Sequence, residues 1–320
     1  MINIGMVRRH DSGSSIGRLA TAFMVAIGWL SLTINSASAD SLRPVGLQVE
    51  YLVNPLGLDE AQPRLTWRVE SNERGQLQTV YRILVSSSSA TLAANQGDLW
   101  DSAKVLSDET LNVSYAGQPL VSRQQCYWKV CVWDKNGKAR WSDPAMWTMG
   151  LLHAEDWRAD YISFRDTTPV FSKKDSLFLP PAQQYRKEFA VVKKVRRATI
   201  YATALGIYEL HLNGARVGDA LFAPGWTDYH QRAYYQTYDV TSLVTSGRNA
   251  IGAWVADGWY SGYLGFGLLP GIGTEKIGRY TYGKTPALMA QLEIEYTDGS
   301  RETIVTDQSW KVTGDGPVRE

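Results

Sequence analysis

The fold is decided by residues 200–244, IYATALGIYELHLNGARVGDALFAPGWTDYHQRAYYQTYDVTSLV. Apolar and polar residues alternate through the runs at 208–214 and 234–240, and a period of two predicts β-strands. The dipeptide Asn213-Gly214 is a strong signal for a tight hairpin turn. Residues 224–232, PGWTDYHQR, lack the alternation and are predicted to form a loop. The stretch therefore predicts strands joined by a hairpin and a longer loop.

The same pattern continues to the end of the chain, and past residue 40 we find no amphipathic helix. Eight strand-like runs suit a jelly-roll β-sandwich of the galactose-binding-like type, which we place at 184–320. Asp298-Gly299 is a second hairpin signal. The last run ends a few residues before Glu320, so we expect this sandwich to be truncated at its C-terminal end. The runs are YRKEFAVV, RATIYATAL, YELHLNG, YYQTYDV, NAIGAWVA, PALMAQLEIEY, RETIVTD and SWKVTG.

An earlier block, residues 41–150, contains six or seven short strand-like runs separated by turns. This spacing suggests a fibronectin type III or immunoglobulin-like sandwich. DKNG, residues 134–137, predicts the hairpin between its last two strands. Residues 151–183 are polar and proline-bearing and are predicted to form a loop and linker. The chain is therefore predicted to be all-β, with two sandwich domains.

The N-terminal segment, residues 1–39, is typical of a signal peptide. Three arginines precede an apolar run at 19–34, which is short for a membrane-spanning helix of roughly 20 residues. Ala37 and Ala39 have the small-x-small spacing of a signal-peptidase site. We expect cleavage after Ala39 and export to the periplasm or the medium, with an uncleaved N-terminal anchor as the alternative.

The charge balance argues against two classes of partner. Three of the 33 basic residues and one of the 32 acidic residues lie in 1–39, so the rest of the chain has a net charge of −1. No block of five or more basic residues occurs. Nucleic-acid binding therefore has no electrostatic support, and no membrane partner is expected after signal cleavage.

The two cysteines, Cys126 and Cys131, fall in one predicted strand. A separation of five residues puts their side chains on opposite faces, Cys126 inward and Cys131 outward, about 16 Å apart. This distance is far beyond disulfide reach. Both are predicted to be free thiols.

Catalytic and metal-binding motifs are missing from the sequence. There is no G-x-S-x-G, H-E-x-x-H or C-x-x-C, and the four histidines are isolated. His211 alternates with Glu209 and Asn213 on one predicted strand, which indicates a solvated face better than a metal site. The sequence predicts no catalytic residue, metal site or cofactor in this chain.

Aromatic residues mark the candidate contact surfaces. The 12 Trp and 17 Tyr suit wet stacking surfaces as well as cores. Two loops are interpreted as ligand-contact or domain-contact regions, and glycines in the second let a backbone come close to a partner. Loops packed on their own aromatic residues are the alternative, and the sequence leaves both open. The seven candidates are Trp226, Asp228, Tyr229 and Arg232 in 224–232, and Asp257, Trp259 and Tyr260 in 257–267, a loop that also contains Tyr263 and Phe266.

These residues resemble a known family. YRKEF, residues 200–244 and NAIGAWVADGWYSGYLGF are similar to the N-terminal β-sandwich of bacterial α-L-rhamnosidases of glycoside hydrolase family 78. The preceding block, with NPLGLDEAQPRLTWRVES and YWKVCVWDKNGKARWSDPAMWTMG, resembles the fibronectin-like domain that opens many of those enzymes. The resemblance covers about residues 43–320. Cys126 and Cys131 stand where the family pattern has Tyr and Arg.

The resemblance implies inverting release of terminal α-L-rhamnose by two carboxylates in an (α/α)6 barrel that follows such β-domains. No helical repeat is present, so the family's catalytic acid and base have no counterpart here. We therefore expect an accessory, non-catalytic part that does not hydrolyse rhamnosides unaided. Its expected partners are the enzyme's own barrel and, through the full enzyme, rhamnose-containing glycans. The alternative is a free-standing carbohydrate-binding module for such glycans.

Overall fold

The computed structural model describes residues 42–164, 180–264 and 278–318. The predicted signal peptide and Phe266 lie outside these ranges. Residues 40–320 belong to one compact unit. Its described part contains two short α-helices, α1 (Ser89–Ala93) and α2 (Gly258–Ser261), so it contains no helical barrel. Neither helix is long and apolar enough to span a bilayer.

The first domain is an immunoglobulin-like sandwich of two antiparallel sheets. One sheet has the order β1-β2-β6, and the other has β4-β3-β7-β8 with β5 added to β3 and β9 to β7. Alternation along β7 buries Trp128 against the opposite sheet, where Trp67 is also fully buried. The strands are β1 Arg43–Val49, β2 Arg64–Glu70, β3 Gln78–Ser86, β4 Trp100–Asp101, β5 Val105–Leu106, β6 Val113–Ser114, β7 Gln125–Asp134, β8 Ala139–Trp141 and β9 Ala145–Thr148.

The second domain is a sandwich of two five-stranded antiparallel sheets. One has the order β10-β17-β12-β15, with β18 on β17, and the other has β14-β13-β16-β11-β19. The inward residues of both sheets form one apolar core, which includes Ile200, Leu210, Ile251 and Leu292. The strands are β10 Ile162–Ser163, β11 Gln183–Val191, β12 Val195–Leu205, β13 Ile207–Leu212, β14 Ala215–Arg216, β15 Gln236–Asp239, β16 Gly247–Ala256, β17 Ala287–Tyr296, β18 Arg301–Val305 and β19 Lys311–Thr313.

The three predicted hairpins are present. Asn213 and Gly214 have φ of 54° and 84° and join β13 to β14, the left-handed pair that a tight hairpin turn requires. Asp298-Gly299 joins β17 to β18, and residues 134–137 lead from β7 into β8. The all-β prediction is therefore confirmed, including the turns that set the registers.

The predicted linker differs in part from a simple loop. Ile162–Ser163 pairs with Ala287 and Leu288 and so adds a strand to the second sandwich. Leu151 and Ala159 are buried. The polar backbone of this segment finds hydrogen-bond partners in the second domain, since the N–H of Arg158 donates to Gln291 Oε1 at 2.7 Å.

Two glycines let the domains approach closely. A Cβ on Gly57 would lie 2.1 Å from Oγ1 of Thr237. A Cβ on Gly150 would lie 2.1 Å from Oη of Tyr235, which accepts a hydrogen bond from the N–H of Leu151 at 2.9 Å. The backbone of the first domain at Gly57 and Gly150 therefore packs directly against the side chains of Thr237 in β15 and of Tyr235 just before it.

The cysteines are free thiols, as predicted, and both are buried. Cys131 faces away from the core of the first domain but is still buried, because β8 pairs with β7 there and places Trp141 directly opposite Cys131. Burial raises the pKa of the Cys126 thiol to about 12 and that of Cys131 to about 11.

Candidate functional site

The two predicted contact loops meet in the folded chain. The indole rings of Trp226 and Trp259 are parallel within 2°, with centroids 6.4 Å apart. The rings of Tyr229 and Tyr260 meet edge to face at 5.4 Å. Four of the seven predicted residues therefore form one group, although they come from loops more than twenty residues apart in sequence.

Two further aromatic residues join this group and were not singled out from the sequence. Phe222 contacts Trp259 edge to face at 6.2 Å. The ring centre of Tyr282 lies 5.2 Å from that of Tyr229, and the Oη of Tyr282 accepts a hydrogen bond from Nε1 of Trp226 at 3.3 Å. We call these six residues the aromatic cluster: Phe222, Trp226, Tyr229, Trp259, Tyr260 and Tyr282. Tyr282 belongs to a third segment with no strand periodicity, so only Tyr280, two residues before it, could have drawn attention to it.

One side of the cluster continues into an exposed apolar surface. Leu221, Phe222, Trp226 and Tyr234 are exposed by 70%, 64%, 53% and 47%. We call these four residues the apolar patch. Neighbouring large apolar side chains at such exposure are uncommon on a monomer's surface and mark contact sites. The inner part of the cluster is structural: the hydroxyl of Tyr229 donates to the carbonyl of Gly225 at 3.0 Å.

Asp257 has a structural role at the base of the second loop. It forms an ion pair with Arg279, whose side chain is only 1% exposed, and accepts a hydrogen bond from Oγ of Ser261 at 2.9 Å. The guanidinium of Arg279 lies 5.1 Å from the ring centres of both Tyr263 and Tyr280. A carboxylate committed to a buried cation is a poor general acid or base, so Asp257 fastens its loop to the segment around 279.

Asp228 and Arg232 shape the first loop and do not meet Asp257 in a polar group. Asp228 accepts hydrogen bonds from the N–H of His230 at 3.1 Å and from Nε2 of Gln231 at 2.8 Å. The guanidinium of Arg232 lies 5.6 Å from the ring centre of Tyr234. Asp228 therefore stabilises the turn at residues 228–232, and Arg232 packs on the ring of Tyr234.

The arrangement supports stacking and apolar docking, and its two carboxylates bind different partners: Asp228 pairs with His230 at 3.4 Å, and Asp257 pairs with Arg279. Across the three described ranges, no three His, Cys, Asp or Glu side chains come together as a metal site would require. His211 pairs with Glu209, with 2.8 Å between Nε2 and Oε1, on an outer strand face.

Two family models match the chain. The α-L-rhamnosidase N-terminal domain matches residues 193–320. The Rha78A-like, N-terminal immunoglobulin domain matches residues 44–153.

Full-length relatives match the same region. An α-L-rhamnosidase of Alteromonas sp. (strain LOR) is 41% identical over 282 residues, which are 87% of this chain and 29% of that protein. The solved structure of the Streptomyces avermitilis α-L-rhamnosidase complexed with L-rhamnose aligns at 30% identity and a TM-score of 0.73, over 86% of this chain and 41% of that one. The α-L-rhamnosidase from Dictyoglumus thermophilum aligns at 35% identity and a TM-score of 0.75, over 86% and 30%. The chain thus spans less than half the length of these relatives.

Proposed function

Because this chain belongs to the α-L-rhamnosidase family and carries its two N-terminal domains, we propose that it is the accessory β-domain part of an exported α-L-rhamnosidase. The predicted resemblance to the N-terminal, non-catalytic part of these enzymes is confirmed by both domain matches. The first domain matches an immunoglobulin model, and its assignment to fibronectin type III stays a prediction. The full enzyme would release terminal α-L-rhamnose with inversion from rhamnose-containing glycans.

The alignment with solved α-L-rhamnosidases carries this proposal. It covers 86% of this chain but only 30% to 41% of theirs, at TM-scores of 0.73 and 0.75. A catalytic domain would therefore account for much of the remaining length. The chain's role is to support that domain.

The apolar patch supplies the contact for this role. Leu221, Phe222, Trp226 and Tyr234 present apolar area that costs free energy in water and is stabilised by burial against a partner. We propose that this partner is the catalytic domain of the full enzyme. The ion pair of Asp257 with the buried Arg279 holds the second loop, whose Trp259 contacts Phe222 and Trp226 of the patch.

Turnover by the purified chain is the direct test. With an aryl α-L-rhamnopyranoside we expect no release of the aryl group above that of a heat-denatured sample. Measurable turnover that survives repeated purification would contradict the accessory role. Sequencing the gene beyond the codon for Glu320 tests the parent enzyme: an open frame that continues into helical repeats with acidic residues is expected.

Export is the second part of the proposal. It rests on the sequence of residues 1–39 alone. N-terminal sequencing of protein recovered from the periplasm or medium of an expressing bacterium should give Asp40 as the first residue. A mature protein that begins with Met1 and stays in the cytosolic fraction would contradict it.

A carbohydrate-binding module is the competing function, and one observation favours it. The parallel rings of Trp226 and Trp259, one of them more than half exposed, form a surface of the kind on which pyranose rings stack. Trp226→Ala and Trp259→Ala separate the two functions. A module loses glycan binding in both variants, whereas with a docking surface neither change alters any glycan binding by the chain.

A further inference from the structure

A trough crosses the outer face of the second sandwich, on the sheet that contains β16. Alternation along β16 buries Ile251 and Val255, so Ala250, Gly252 and Trp254 face outward. Two small residues in a central strand leave a depression of about 390 Å³. Pockets of about 300–1,000 Å³ are the usual size for small-molecule sites.

The strand registers place polar side chains on both sides of Gly252, which has no side chain of its own. Gly252 lies directly opposite His211 on β13 and opposite Arg186 on β11. Arg186 in turn lies opposite Lys311 on β19. Since paired residues in neighbouring strands are about 5 Å apart, these four positions form one row across the sheet. Three hydrogen-bonding side chains thus surround a gap in the row.

The adjacent row supplies a flat aromatic ring. Trp254 lies two residues from Gly252 on the same strand and is paired with Gln184 on one side and Glu209 on the other. Gln184 pairs with Thr313 at the edge of the sheet. A group seated over Gly252 therefore has an indole about 7 Å along the strand.

The positive and negative charges around the trough are nearly balanced. Arg186 pairs with Glu188 at 2.7 Å, and Glu209 pairs with both His211 at 2.8 Å and Arg216 at 3.0 Å. These pairs are partly solvated, so their hydrogen-bonding capacity is available at the surface. A ligand with many hydroxyl groups and little net charge fits this lining better than an anion or a long apolar chain.

We propose that this trough binds a pyranose ring of a glycan. The apolar face of the ring packs on Trp254, and its hydroxyls bond to Gln184, Arg186, His211 and Lys311. The trough contains no residue of the aromatic cluster or the apolar patch, so it is a separate site on the same domain. Glycan binding here does not require a catalytic domain.

Affinity electrophoresis of the chain in gels containing a neutral α-L-rhamnan tests the proposal, with gels containing hydroxyethylcellulose as the rhamnose-free comparison. The choice of a rhamnose-containing probe rests on the proposed function. We expect retardation, and Trp254→Ala should weaken it about tenfold because the stacking surface is lost. Arg186→Ala combined with Lys311→Ala should weaken it as well. Trp133→Ala, a matched change on the first domain, should leave it unaltered.

Gly252→Val gives an independent reading, because its side chain would fill the trough. The Cβ of the new valine would lie 3.0 Å from the carbonyl oxygen of Tyr185, so the folding of this variant is checked by circular dichroism. If the variant unfolds, the double variant Arg186→Ala/Lys311→Ala replaces it in the test. Equal retardation of Trp254→Ala and the wild type would overturn the proposal. So would the absence of retardation in both gels, loss of binding in Trp226→Ala alone, or a dimer by sedimentation that Trp254→Ala converts to monomer. Trp254-dependent binding to hydroxyethylcellulose alone would support the trough and count against rhamnose as its sugar.

Discussion

Arg123 of the immunoglobulin-like domain donates its Nε hydrogen to both carboxylate oxygens of Glu293 in the second sandwich, at 2.8 Å to each. Its Nη1 donates to Oδ1 of Asp156 at 2.7 Å. Gln291, fully buried beside it, donates from Nε2 to Oε1 of Glu293 at 2.7 Å and to the carbonyl of Asp156 at 3.1 Å. One arginine thus joins both domains and the segment between them in a single network.

Removal of this arginine should weaken the coupling between the domains. Arg123→Ala leaves Glu293 and Asp156 without their cation, and we expect a loss of about 3 kcal/mol in the free energy of unfolding. Differential scanning calorimetry should show one transition for the wild type and a broadened or split one for the variant. Arg82→Ala is the matched control, since its pair with Asp101 is more exposed and lies within one domain. Equal losses in the two variants would contradict a special role for Arg123.

Stability should fall at acid pH because of Asp156. Burial alone raises the pKa of this carboxyl, but hydrogen bonds from Ser122 and Arg123 outweigh it and hold the pKa at about 2, below the ordinary 3.8. A lowered pKa in the folded state gives stabilisation that is complete above pH 4 and is lost as the pH falls toward 2. Thermal melts between pH 6 and pH 2 should show this decline. Asp156→Asn should have a lower melting temperature at pH 6 and a shallower decline, and parallel curves for the two proteins would contradict the assignment.

Gly150 should tolerate no side chain. In Gly150→Ala the new Cβ would lie 2.1 Å from Oη of Tyr235, and we expect a loss of about 3 kcal/mol from overpacking. Gly137→Ala is the comparison: its Cβ meets nothing within 4 Å, and only the left-handed backbone costs about 1 kcal/mol. Urea denaturation measures both. Tyr235→Phe in the Gly150→Ala background should recover part of the loss. A smaller loss of unfolding free energy for Gly150→Ala than for Gly137→Ala would show that the two domains can move apart at Gly150 without loss of stability.

Asp257 should matter for stability more than its position in a loop suggests. Asp257→Ala leaves the buried guanidinium of Arg279 without this carboxylate, and we expect a loss of about 3 kcal/mol. Asp228→Ala, which removes a carboxylate from an exposed turn, should cost under about 1 kcal/mol. Chemical denaturation compares the two variants. A near-neutral Asp257→Ala would mean that the second loop is fastened elsewhere.

Local signals in the sequence predicted local structure well. The turns at Asn213-Gly214 and Asp298-Gly299 have residue-specific backbone conformations, so their hairpins could be predicted from the dipeptides. The alternation of apolar and polar residues predicted the longer strands, because burial of one face of a strand imposes a period of two. The strand at Ile162–Ser163 was missed since two residues are too few to show a period.

The candidate site was predicted only in part. The loops were found from their aromatic content, but the stacking of Trp226 on Trp259 depends on how the sandwich places its loops, which no local pattern encodes. Arg279 carries no sequence mark of burial, because a lone arginine is usually exposed. The bond between Arg123 and Glu293 spans 170 residues and follows from the docking of two whole domains.

The close fit at Gly57 and Gly150 bears on how such domains can be exchanged between proteins. Each glycine leaves room for one side chain of the neighbouring sandwich, Thr237 or Tyr235. A recombination event that replaced either sandwich by itself would bring unmatched side chains against these positions. The two domains should therefore be inherited and transplanted as a pair. A crossover before residue 42 or beyond β19 should give folded chimeras, and a crossover near residue 160 should give unstable ones.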